Sequence, residues 1–117
     1  MAFEAGDNIR APRVAVTLEV LYRFDAREEF RSGKGTELST SGVFVQTGER
    51  RPVGAMVLLR LLRADGSAVA EGFGRVAWVR EEPEGQRGMG LQFIHLDERS
   101  MGLVEEMIAV ELATVRK

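Results

Sequence analysis

Few of the residues in this chain that could do chemistry stand where they could do it. There is one histidine, His95, and no cysteine, which excludes disulfides, thiolate metal sites, cysteine nucleophiles and a histidine-built zinc site. Ser39 has no evident base to take its proton, so no hydrolase triad is written here. Carboxylates are plentiful but form no recognisable catalytic pair: Asp65 sits in a turn signal and Glu105-Glu106 on a helical pattern. What remains is Arg10 and Arg13 around Ala11-Pro12, and the compact run Glu37-Leu38-Ser39-Thr40-Ser41-Gly42. Residues three apart face opposite ways on a flat strand but the same way in a polyproline segment, which has three residues per turn. Pro12 pushes Ala11 toward that extended geometry. Two or three well-placed arginines suffice to hold a small dianion; the same pair can equally be solvated charges at a strand entrance. The run 37–42, by itself, reads as a hairpin turn. Trp78 reads as a core or helix-packing residue. Gly88-Met89-Gly90 reads as a strand entry, without the spacing of a phosphate-binding glycine loop.

The elements that must position these residues are mostly strands. Val14, Val16, Leu18, Val20, Tyr22 and Phe24 share one parity between mostly small or polar neighbours, the period of a half-buried strand. After a turn at 25–29, Phe30 to Leu38 is a weaker strand interrupted by Gly33 and Gly35. Ser39 to Gly42 turns the chain into the short strand Val43-Phe44-Val45, and Arg50, Arg51, Pro52 and Gly54 form a loop. Met56 to Leu62 is a continuous apolar run of the length of a buried strand. Asp65-Gly66 marks a hairpin, Val69 to Arg80 a long strand with bend points at Gly72 and Gly74, and Met89 to Ile94 a last strand. From Asp97, a candidate N-cap, Met101, Val104, Ile108 and Leu112 recur at spacings of three and four. Leu103, Met107 and Val110 widen that stripe, which predicts a helix to about Val115. The expected organisation is a flexible lead-in over 1–9, then one domain over 10–117 whose helix covers 97–115. Strands joined by short turns, with no helices between them, form an antiparallel sheet, and closing it into a barrel removes its exposed edges. The helix covers one opening or one face of that barrel, or else pairs two copies.

Composition narrows the partners. A chain of 117 residues fits one domain. With 16 basic and 18 acidic residues, a net charge of −2, it lacks the basic face that long nucleic acid requires. It also lacks the basic groove and interleaved aromatics of a single-strand-binding barrel. No stretch approaches the ~20 apolar residues of a membrane span, and the start, MAFEAGDNIR, is too acidic for a signal peptide. A soluble, cytoplasmic protein is expected.

Four blocks, in order, resemble the PilZ domain: Arg10-Ala11-Pro12-Arg13-Val14, the run Glu37 to Val45, Gly74-Arg75-Val76-Ala77-Trp78-Val79, and Gly88-Met89-Gly90-Leu91-Gln92-Phe93. The chain is most similar to the compact stand-alone PilZ proteins of deltaproteobacteria. The resemblance implies an all-β fold, a six-stranded antiparallel barrel with a C-terminal α-helix. It further implies a non-enzymatic receptor, without cofactor, that binds cyclic di-GMP in bacterial second-messenger signalling and acts on a downstream protein partner; a homodimer is compatible with it. The family's ligand motifs are Arg-x-x-x-Arg ahead of the first strand and Asp/Asn-x-Ser-x-x-Gly at the turn between the second and third. Arg13 falls on the second arginine. Ile9 occupies the place of the first, and Arg10 stands one position off it. Glu37 replaces Asp or Asn, keeping an acceptor with one more methylene, while Ser39 and Gly42 match. The ligand residues implied are therefore Arg10, Arg13, Glu37, Ser39 and Gly42. An arginine fork can bond guanine O6 and N7 together or clamp phosphate, each contact being worth about 1–3 kcal/mol. The departures at Ile9 and Glu37 leave an alternative, a PilZ adaptor that works through protein contacts without the nucleotide.

Overall fold

The computed structural model describes residues 12–49 and 51–115. The expected lead-in over 1–9, and Arg10 with it, lies outside the described residues. The chain runs β1 (Val14–Arg23), β2 (Arg31–Ser39), β3 (Gly42–Gln46), β4 (Met56–Leu62), β5 (Ala68–Arg80), a 3₁₀ turn (Glu84–Gln86), β6 (Gly88–Leu96) and α1 (Glu98–Val115). Neighbouring strands are antiparallel, and their order β1-β2-β3-β6-β5-β4 closes on itself. The expected six-stranded barrel with a C-terminal helix is the observed fold.

Alternation fills the interior. Val14, Leu18, Val20 and Tyr22 of β1 point inward with Val43 and Val45 of β3, Val76 of β5 and Met89 and Leu91 of β6. Each such side chain stabilises the fold by about 1.5–3 kcal/mol relative to leaving it in water. In β4, read from the sequence as a buried strand, only alternate residues are buried. Val57, Leu59 and Leu61 are at most 2% exposed, whereas Met56 is 50% and Leu58 38% exposed. A barrel wall has one inside, so an unbroken apolar run still has to put every second residue out.

The helix starts as its cap predicts. Asp97 Oδ1 accepts a hydrogen bond from the Ser100 N–H at 2.7 Å, and Ser100 Oγ in turn accepts one from the Glu71 N–H at 3.1 Å. The Ser100 bonds hold the Asp97 carboxyl below the usual carboxylate range. Val104 and Ile108 join the barrel's buried cluster, and the helix lies chiefly on β5. Val110, expected to widen the packing stripe, is 57% exposed. None of the described helices is long and apolar enough to cross a membrane.

Beyond the end of β3 the barrel is tied by polar groups. The Tyr22 hydroxyl lies 2.9 Å from Thr47 Oγ1 and donates to Glu49 Oε1 at 3.4 Å. Glu49 also pairs with Arg31 and with Arg51, the latter at 3.2 Å, and Arg51 lies over the Phe24 ring at 4.4 Å. Partial burial pushes the Glu49 carboxyl upward, but the bonds from Arg31 and Arg51 outweigh it and leave it lowered.

A candidate ligand recess at the turn between β2 and β3

The turn after β2 is set by its own serines. Ser39 pairs with Gly42 across a two-residue connection. Ser39 Oγ accepts a hydrogen bond from the Ser41 N–H at 3.1 Å and lies 3.0 Å from Ser41 Oγ, a side-chain turn of the kind serine favours. The Ser41 carbonyl then accepts from the Phe93 N–H at 2.9 Å, fastening the turn to β6. Ser39 is consequently only 7% exposed. Gly42 is required here for packing. A β-carbon on it would press on the Leu91 carbonyl oxygen well inside 3.0 Å, a separation real Cβ atoms do not show.

Beside this turn lies an open recess of about 410 Å³, counted out to its mouth, lined by Arg13, Glu37, Ser39, Ser41, Gly42, Phe44, Trp78 and Gln92 among others. Val14 pairs with Leu38 and Ala15 with Glu37, so continuing the register by one residue sets Arg13 opposite Ser39. Four of the five residues implied by the motifs thus share one recess; the fifth, Arg10, is outside the described residues. Arg13 is exposed and Glu37 half-buried. Neither has a hydrogen-bond or ion-pair partner among the described residues. A cation and an acceptor thus stand on the same rim.

The opposite wall is aromatic. Phe44 and Trp78 both pair with Gly90, one from each side, and their rings stack over it, with centroids 5.1 Å apart and planes at 16°. Glycine at 90 leaves room for the ring, since a β-carbon there would run into the Trp78 indole and displace it. Arg80 covers the pair, 4.4 Å from the Phe44 centroid and 5.2 Å from that of Trp78. Trp78 therefore stands outside the core, one of the two places the sequence expectation gave it. The cause is a register shift in β5. Val76 pairs with Leu91 but Trp78 with Gly90, so Ala77 is an extra residue, and a bulge of this kind re-aims the side chain that follows it. Gln92, also missed, lines the recess and accepts a hydrogen bond from Arg75 Nε at 2.9 Å. His95 stands exposed on β6, its ring 5.8 Å from that of Phe73.

The sequence pattern of the PilZ domain matches residues 7–109. This chain belongs to the PilZ domain family. Among solved structures it is similar to the inhibitor of motility MotI/DgrA of Bacillus subtilis, with a TM-score of 0.78 and 16% identity over 92% of this chain and 53% of that one. This PilZ domain thus spans about half the length of the Bacillus protein. It is also similar to the PilZ domain of YcgR from Escherichia coli, a structure with c-di-GMP, at a TM-score of 0.66 and 10% identity, covering 92% of this chain and 93% of that chain. At such identities the likeness is one of fold. No curated protein matches the sequence.

Proposed function

We propose that this PilZ domain is a cytoplasmic, non-enzymatic receptor for cyclic di-GMP that acts on a downstream protein. The observation that carries the reading is the meeting of Arg13 and Glu37, both without partners among the described residues, in a recess walled by the Phe44–Trp78 stack. The residues suit the chemistry of the ligand. A guanidinium fork can take a phosphate or the O6/N7 edge of guanine. A carboxylate can accept from the guanine N1–H and N2–H₂ donors, and an aromatic face can stack on a purine. Within this reading Arg13 and Glu37 make the polar contacts. Ser39 and Gly42 act chiefly by shaping the turn, and Arg10, three residues before Arg13 in the sequence, supplies a second cation. YcgR, whose PilZ domain structure contains c-di-GMP, has the same fold.

Isothermal titration tests this. Binding of cyclic di-GMP in the roughly micromolar range is expected, and Arg13→Ala should weaken it by about tenfold or more, the worth of one good guanidinium contact. Silence of the wild type at several hundred micromolar ligand would end the proposal.

A second reading, an adaptor that works without the nucleotide, draws on two observations. Ile9 and Glu37 depart from the family's motif. The fold already accounts for Ser39 and Gly42, through the Ser41 N–H and the Leu91 carbonyl. Binding gained only in an Ile9→Arg, Glu37→Asp double variant would favour it.

A further inference from the structure

Four of the five exposed large apolar side chains among the described residues fall on one part of the barrel wall: Val53 (65% exposed), Met56 (50%), Leu58 (38%) and Ile94 (49%). Register explains the grouping. Leu58 of β4 pairs with Phe73 of β5, and Phe73 with His95 of β6 at the shift that leaves Ile94 as an extra residue. Met56 is the next outward residue of β4, and Val53 lies in the loop just before it. Contiguous exposed apolar side chains of this kind mark interaction surfaces. Arginines frame the strip. Arg23 pairs with Leu58, and Arg75 with Met56. Arg60 follows Leu58 on the outer face and is held to Glu71 at 3.3 Å. Arg23 has no carboxylate within ion-pair distance among the described residues; it donates to the Ala26 and Glu28 carbonyls instead.

The fifth exposed apolar residue, Val110, is on α1. Leu103, Met107 and Val110 recur at i, i+4 and i+7, so they line one flank of the helix. Leu103 and Met107 are half-buried against the core, and Val110 continues their line into solvent. Glu106 is four residues before Val110 and Glu111 four after Met107, so a carboxylate edges this flank on either side. The molecule therefore carries an apolar strip framed by arginines and an apolar helix flank edged by glutamates. They match in length: α1 is about 27 Å long at 1.5 Å per residue, and β4 about 23 Å at 3.3 Å per residue. They also adjoin. Glu71, ion-paired with Arg60 beside the strip, donates its N–H to Ser100 in the first turn of α1.

We infer that two copies of this chain associate about a two-fold axis, the α1 flank of each lying along the β4–β5 strip of the other. One self-complementary surface is what a two-fold interface requires, and apolar residues interspersed with arginine are the composition of interface cores. Arg23, and Arg75 beside its bond to Gln92, then face the partner's Glu106 and Glu111.

Sedimentation equilibrium from about 1 µM to 1 mM tests this without any nucleotide, so its outcome is separate from that of the proposed function. The expected result is a mass rising from 13.0 kDa toward twice that value. Leu58→Glu and Val110→Glu should each raise the dissociation constant at least tenfold, and Glu106→Arg with Glu111→Arg should do likewise. Mixing Leu58→Glu with Val110→Glu should restore part of the association, because the mixed dimer keeps one contact intact. Far-UV circular dichroism checks that each variant folds, with Met56→Glu as a replacement for Leu58→Glu. A wild type that stays at 13.0 kDa throughout overturns the inference. Association unchanged in all the variants overturns it too.

Discussion

Gly42 separates two accounts of one glycine. If it served only to let a ligand approach, Gly42→Ala would reduce binding and leave the fold alone. The packing of β3 on β6 says otherwise. The added β-carbon would lie well inside 3.0 Å of the Leu91 carbonyl oxygen, with the Leu91 carbonyl carbon and Gln92 Cα both inside 3.4 Å. These are backbone atoms of a paired strand and cannot rotate away. The edge of β3 has to move, which loosens the Gly42–Gln92 pairing and the bond from Phe93 N–H to the Ser41 carbonyl. Overpacking of this kind costs about 1–3 kcal/mol, and weakening one or two backbone hydrogen bonds about 0.5–1.5 kcal/mol each. The expected loss is therefore roughly 2–4 kcal/mol, a drop in thermal midpoint on the order of 10 °C for a domain of this size. Urea denaturation followed by Trp78 fluorescence measures it. Gly48→Ala is the control, since nothing lies within 4 Å of a β-carbon built there. A Gly42→Ala protein within about 0.5 kcal/mol of the wild type, the range of ordinary surface changes, would refute the reasoning.

Three further outcomes follow from the fold. Leu61→Ala, at a fully buried position, should cost about 2–5 kcal/mol, whereas Met56→Ala, on the outer face of the same strand, should leave folding stability nearly unchanged; equal losses in chemical denaturation would contradict the one-sided burial of β4. Glu49→Gln should cost about 1 kcal/mol, because it dismantles the network with Arg31 and Arg51. Since the Glu49 carboxyl is held below its ordinary value, its stabilisation is complete above the unfolded pKa of about 4.3 and fades as pH falls through the folded one; wild type and variant should therefore converge in acid, which a pH series of thermal melts checks. Asp97→Ala should lower the melting midpoint by a few degrees and fray the start of α1, visible as faster amide exchange at Ser100 and Met101, since it removes the cap seen at Ser100 N–H.

Strands and helix were legible because the hydrophobic period changes where the structure changes, from two along β1 to three and four after Asp97. Turns were legible from Asp65-Gly66, where Gly66 has φ +89°, and from the serines at 39 and 41. Register irregularities were not. Alternation counted from Val76 sends Trp78 inward, and the bulge at Ala77 sends it out; no residue type announces such a shift, although the pairing of Trp78 with Gly90 uses a glycine the sequence does contain. The run Met56–Leu62 read as a buried strand because composition reports apolar content and not the number of faces available to hide it. Of the recess, the turn was readable from its residues and Arg13 was implied by the family resemblance, while the aromatic wall and Gln92 come from β5 and β6, distant in sequence and joined only by closure of the barrel.

Nuclear magnetic resonance mapping of cyclic di-GMP on the isotope-labelled chain tests the central claim most directly. Addition of the nucleotide should move the Trp78 indole N–H and the backbone amides of Glu37, Ser41, Gly42 and Gln92 most. Saturable shifts confined to the β4 wall or to α1, with those groups unmoved, would place the nucleotide elsewhere and contradict the assignment of the recess.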